Sequence, residues 1–217
     1  ALILCATQAL AAPDAITLGM VLEPPNLDPT AGAAAAIDEA VYANLFEGLT
    51  RFGPDGAVLP ALARSWEVSA DGTAYTFHLV EGATFHDGTA FDAEDVKFSL
   101  DRARAADSAN AQKALFAGIA AVEVLDPATV RVTLSAPDGA LPFKLAWGDA
   151  VIVAPETADQ AATHPVGTGP FLFADWVQGD HVTLAAWPGY WGEKPALSRA
   201  TFRFISDPTA AYAALMA

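Results

Sequence analysis

The chain has 217 residues, with 11 Lys and Arg against 26 Asp and Glu, a formal charge of -15. That balance excludes a nucleic-acid surface, which needs a basic patch, and docking on an anionic membrane, where polybasic segments supply the attraction. With 53% hydrophobic residues, 10% aromatics and five Trp, the composition excludes disorder and supplies a core.

At the N-terminus, the apolar run Leu2-Ile3-Leu4 followed by Ala9-Leu10-Ala11 has the form of the h-region and A-x-A site of a secretory signal peptide, without its basic n-region. Residues 1–11 are expected to be the remnant of such a signal; the alternative is a buried N-terminal helix. Cys5 is the one cysteine and lies within this run. Leu4 is too bulky for a lipoprotein box. Cleavage after Ala11 leaves a mature chain without disulfide, thiol nucleophile or Cys-based metal site, which suits export to a bacterial periplasm. No later segment approaches the about 18 consecutive apolar residues of a membrane span.

The hydrophobic period then switches repeatedly between two and 3.6, which predicts a mixed α/β fold. Ile16 to Leu22 reads as a strand, and the prolines of Glu23-Pro24-Pro25-Asn26-Leu27-Asp28-Pro29 fix a stiff loop after it. Ile37, Val41 and Leu45 share a helical face, with Gly48 as the stop. Trp66-Glu67-Val68 and Thr73 to Leu79 alternate about Ala70-Asp71-Gly72, a hairpin with Tyr75, Phe77 and Leu79 facing the core. Phe91-Asp92-Ala93-Glu94-Asp95-Val96 is a helix start, with Asp92 as N-cap and Phe91 against Val96 as a staple; the helix should run to about Ala106. Thr129 to Leu134 is an alternating strand. Pro165 to Phe171 is a turn-rich crossing and a candidate interdomain linker. His181 to Ala185 and Thr201 to Ile205 read as strands. Asp207 and Pro208 open a last helix as N-cap and N1, and the chain stops within it, which points to a fragment of a longer protein.

Catalytic chemistry is hard to find. The chain has no G-x-S-x-G elbow, H-E-x-x-H helix or P-loop. Gly167-Thr168-Gly169 is followed by Pro170 and reads as a turn. His86-Asp87 is expected to form a structural contact in a tight turn, because metal sites need three or four convergent ligands. His78 sits on the polar face of its strand. Glu94 and Asp95 are helix-start acids before they are a catalytic pair. Trp147, Trp176, Trp187 and Trp191 could stack on a ligand, but core packing is the expected role of each, since aromatics dominate core burial. No catalytic residue, metal site or cofactor is assigned.

Several stretches resemble one family. Leu62-Ala63-Arg64-Ser65-Trp66-Glu67-Val68-Ser69-Ala70-Asp71-Gly72-Thr73-Ala74-Tyr75-Thr76-Phe77-His78-Leu79 is similar to the signature of the family 5 extracellular solute-binding proteins, the receptors of dipeptide- and oligopeptide-type ABC importers. The resemblance continues through Glu81 to Thr89, Phe91 to Ser99, Pro165 to Phe171 and Gly189-Tyr190-Trp191-Gly192. Val80 departs from it, standing where the family usually places Lys or Arg.

The resemblance implies a type II periplasmic-binding-protein-like fold: one lobe plus the family's extra small domain, with the second lobe beyond residue 217. It implies a first lobe from residues 12–35 and 165–217 and an extra α+β domain from 36–164. It implies a periplasmic, monomeric protein that binds a peptide or another small molecule and meets the transmembrane subunits of an ABC permease, without inserting in the membrane. On this wall of the cleft, Glu23, Pro24, Pro25 and Asn26 match the loop that lines it, presenting backbone to an extended peptide; Glu23 and Asn26 equally suit capping of their own loop. Trp147-Gly148-Asp149 matches a strand end near the cleft. Thr168 and Gly169 match crossing backbone within reach of ligand. The family also includes receptors for nickel complexes, haem, glutathione, opines and oligosaccharides. A different reading, an exported hydrolase with its nucleophile beyond residue 217, stays open, as does a folded fragment without activity.

Overall fold

The alternation of Ala74–Leu79 decides the first sheet. Tyr75, Phe77 and Leu79 are buried while Ala74, Thr76 and His78 are half-buried, because successive side chains of a strand point to opposite faces. The computed structural model describes residues 14–216; the signal-peptide reading of residues 1–11 lies outside them. In chain order the strands are β1 (Ala15–Met20), β2 (Thr50–Phe52), β3 (Val58–Pro60), β4 (Ala63–Val68), β5 (Ala74–Leu79), β6 (Ile119–Asp126), β7 (Thr129–Leu134), β8 (Phe171–Val177), β9 (His181–Ala186) and β10 (Arg199–Phe204). The helices are α1 (Ala35–Val41), α2 (Ala93–Arg104), α3 (Leu141–Lys144) and α4 (Pro208–Met216).

Two four-stranded sheets result. One has the order β4-β5-β7-β6, antiparallel throughout. The β4–β5 turn is closed by Gly72 at φ +71, a conformation that costs glycine nothing, and by Asp71, which accepts from the Thr73 amide and the Ser69 hydroxyl. Helix α2 packs on β6 and β7, and Val96 and Leu100 join Phe77, Leu79, Val130 and Val132 in one apolar cluster. Each of these side chains, fully buried, contributes about 1.5–3 kcal/mol by removal from water. The start of α2 is a reciprocal capping box: Asp92 accepts from the Glu94 amide at 2.8 Å and Asp95 from the Asp92 amide at 2.9 Å. The helix ends at Arg104, two residues before the expected Ala106.

The other sheet has the order β1-β10-β9-β8, with β1 parallel to β10 and the rest antiparallel. It builds a second cluster from Met20, Phe171, Val182, Leu184 and Phe202 with Ile37, Val41, Leu45 and Phe46. Helix α1 ends at Val41, so Leu45 reaches that cluster from the loop after it rather than from the helical face. Asp207 caps α4 by accepting from the Ala210 amide at 2.7 Å. Strands β6 and β8 and the short β2–β3 hairpin lie outside the sequence-based expectations.

Candidate functional site

The crossing Pro165–Phe171 runs directly over the backbone that follows α1. Gly169 donates to the Leu45 carbonyl at 2.9 Å and Phe171 to the Asn44 carbonyl at 3.0 Å. A Cβ at Gly167 would overlap the Leu45 carbonyl oxygen, and one at Gly169 that of Asn44, so the two backbones meet only because these positions are glycine. Thr168, with no exposed surface, then points inward and donates to Glu47 Oε2 at 3.0 Å.

Glu47 is a carboxylate set in the apolar run Leu45-Phe46-Glu47-Gly48-Leu49 and is only 8% exposed. Trp191 Nε1 donates to the same Oε2 at 2.9 Å and the Tyr190 hydroxyl to Oε1 at 2.8 Å. Burial pushes the Glu47 carboxyl up, and the three donors and the charge of Arg51 pull the other way without cancelling it. Burial and the neighbouring Glu47 charge push the Tyr190 hydroxyl well above its usual value.

His86 locks the other side of the crossing. Its Nδ1 accepts from the Gly167 amide at 3.2 Å and its Nε2 meets the Gly169 carbonyl at 3.0 Å. One ring nitrogen accepts and the other donates, which defines the neutral imidazole with its proton on Nε2. Burial lowers the His86 pKa, consistent with that state. The expected His86–Asp87 contact is therefore corrected: the Asp87 carboxylate instead accepts from the Thr89 amide at 2.9 Å and hydroxyl at 2.7 Å.

The loop after β1 divides its work. Glu23 accepts from Trp176 Nε1 and the Gly179 amide, each at 3.0 Å, and so caps the β8–β9 turn rather than its own loop. Asn26 caps its own loop through the Asp28 amide at 2.9 Å. Pro24 is buried and Pro25 exposed. Trp147 is 40% exposed and meets Phe52 and Phe143 edge-on at ring-centroid distances of 6.4 and 6.3 Å. It precedes a 3₁₀ turn, Gly148–Ala150, where a strand end was expected. The sequence-selected residues thus fall in three neighbourhoods: the loop after β1, which Glu23 ties to the β8–β9 turn, the crossing, and the Phe52–Phe143–Trp147 platform.

Beside that platform lies an acidic pair the sequence did not single out. Gly148 packs on the Asp38 carboxylate, and Asp149 is buried next to it. Burial, then the Asp38 charge, raises the Asp149 pKa to about 6; burial also raises Asp38. Glu47 carried one legible signal, a carboxylate inside an apolar run. Its partners Tyr190 and Trp191, 143 and 144 residues away, carried none that periodicity exposes. Among the described residues no group of three or more His, Cys, Asp or Glu is placed to hold a metal ion, and no helix is long and apolar enough to cross a membrane.

The architecture is that of a periplasmic binding protein. Over 93% of the chain it superposes on the binding protein AgaA from A. tumefaciens R10, solved with agropinic acid, at TM-score 0.87 and 35% identity, covering 42% of that chain. It superposes likewise on DppA from Helicobacter pylori, solved with the peptide STSA, at TM-score 0.82 and 28% identity, covering 93% of this chain and 44% of that one. The model of the bacterial extracellular solute-binding proteins, family 5 Middle, matches residues 57–217, and the chain belongs to that family, as the motif blocks implied. A curated relative, the glutathione-binding protein GsiB of Pectobacterium atrosepticum, is 37% identical over 187 residues, 84% of this chain. The chain spans 36% of that relative's own length.

Proposed function

We propose that this protein is the solute-binding component of an ABC importer, a non-enzymatic, monomeric periplasmic receptor that hands a small organic solute to the transmembrane permease subunits. The observation that carries this reading is membership of the solute-binding family, with relatives solved around small ligands over nearly the whole chain. The two sheets with separate apolar clusters support a first lobe and an extra domain that share one wall of a cleft. On that wall, exposed Pro25 and Trp147 meet the solute directly. Glu23, Pro24 and Asn26 hold the loop's shape. Thr168 and Gly169, committed to Glu47 and Leu45, set the crossing against which the lobes move.

The solute is a peptide or a similar compound. A non-peptide solute such as an opine is favoured by AgaA, which was solved with agropinic acid and is 35% identical to this chain. Native mass spectrometry of the protein, purified without denaturation from its host, separates the two. A ladder of adducts at peptide masses establishes a peptide receptor. A single non-peptide adduct keeps the receptor and names another solute class. Turnover of a bound peptide without added enzyme would overturn the non-enzymatic reading.

A further inference from the structure

A cavity of about 360 Å³ opens between α1, the β2–β3 hairpin and the Gly189–Gly192 turn, lined among others by Tyr42, Glu47, Arg51, Tyr190, Trp191 and Glu193. Its volume is within the range of small-molecule sites. Tyr42, Tyr190 and Trp191 supply its aromatic walls, and its charged groups are unequally occupied. Glu47, at the buried inner side, already accepts from Thr168, Tyr190 and Trp191, so its charge needs nothing from a ligand. Arg51 and Glu193 are exposed, and no ion pair joins them. Arg51 is the single cation of the cavity wall; among the described residues its guanidinium has neither an ion-pair partner nor a hydrogen bond, and it acts on Glu47 only through its charge.

The backbone at the cavity edge is strained as well. Ala43 has φ +56, the one non-glycine residue with positive φ among those described, and its amide donates to the Phe46 carbonyl at 2.9 Å. Such a conformation is unfavourable for a residue with a Cβ and is concentrated at functional sites.

We infer that this cavity binds the carboxylate of a small aromatic or similarly flat acid, with Arg51 as its bidentate partner and the rings of Tyr42, Tyr190 and Trp191 as its walls. The guanidinium fork matches a carboxylate geometrically, and aromatic walls favour a planar body over an aliphatic one. Glu193 limits the occupant to one carboxylate, since a second negative group would face it. Tyr42, whose hydroxyl donates to the Ala146 carbonyl, lies between this cavity and the Trp147 platform, and the assignment does not depend on the importer reading.

The test titrates the purified protein with phenylacetate and, separately, with its uncharged analogue phenylacetamide, following the Trp191 indole N–H resonance, assigned with Trp191→Phe. The acid is expected to saturate the shift with an affinity at least about tenfold above the amide, the scale of one charge-assisted pair. Arg51→Gln should erase that preference and Arg51→Lys keep part of it. Because Arg51 is exposed and makes no hydrogen bond, both variants should fold, and Arg51→Lys, which keeps the charge that acts on Glu47, should retain the wild-type denaturation midpoint. Equal affinities for acid and amide, no saturable shift with either, or a preference that survives Arg51→Gln would each overturn the assignment.

Discussion

The Thr168 hydroxyl and the Glu47 carboxylate meet at 3.0 Å although 121 residues separate them. That contact ties the crossing to the segment after α1 through a side chain with no exposure. Thr168→Val keeps the shape and removes the donor, and should lower stability by about 1.5–3 kcal/mol, the range for a hydrogen bond to a charged group. In a double-mutant cycle with Glu47→Gln the coupling should exceed about 0.5 kcal/mol. Additive losses in urea denaturation would show that the two act independently.

Gly169→Ala places a methyl group against the Asn44 carbonyl oxygen, which is backbone and cannot rotate away. A loss of about 1–3 kcal/mol is expected from the forced shift. Gly139→Ala, where an added Cβ meets open space, is the control and should stay within about 0.5 kcal/mol of wild type. Similar midpoints for the two variants would remove the close backbone approach as the reason for glycine.

His86 supplies a pH dependence with a defined sign. Its folded pKa is depressed below the ordinary 6.5 by burial, so the neutral ring's contribution is complete above 6.5 and is lost as pH falls from there through the lowered folded value. Protonation would turn Nδ1 into a donor facing the Gly167 donor. His86→Ala should cost about 1–3 kcal/mol at pH 7.5 and visibly less at pH 5. A gap between wild type and variant that is constant across this window would refute the neutral tautomer.

Asp149 behaves oppositely. Its pKa is raised from 3.8 to about 6, so its favourable contribution is present below pH 3.8 and disappears as pH rises through about 6. Asp149→Asn removes a buried charge beside Asp38 and should raise stability at pH 8 by about 1–2 kcal/mol, with little change at pH 4. Paired thermal or urea melts at the two pH values check this, and a variant less stable than wild type at pH 8 would mean the carboxylate has a partner that stabilises it.

The elements that sequence exposed are those whose signals are local. The α2 capping box needs only Asp92 and Asp95, three apart, and the β4–β5 hairpin needs Asp71, Gly72 and a period of two. Strand β6 buries Ile119 and Val122, three residues apart, and exposes Leu125; it lacks clean alternation because bulges shift its register on both sides of Ala121 to Val124, so no periodicity revealed it. The site was legible only in part for the same reason. Trp147 and the proline loop could be selected from resemblance, whereas the meeting of Glu47 with Tyr190 and Trp191, and of His86 with Gly167 and Gly169, exists only after distant segments pack. His86 next to Asp87 in sequence invited a contact that the turn geometry does not make.

Strand β1 pairs in parallel with β10, Ala15 beside Arg199 and Met20 beside Phe204. The ribosome therefore releases one strand of that ladder long before its neighbour exists. At about 5–20 residues per second the wait is on the order of ten seconds or more. The β4–β7 sheet and α2 form from one contiguous stretch and can be complete in that interval, while Ile16 and Leu18 remain without a partner. A nascent chain in this condition stays threadable and exposes a strand to any holding factor that reaches it, and the last sheet closes only as the final strands appear.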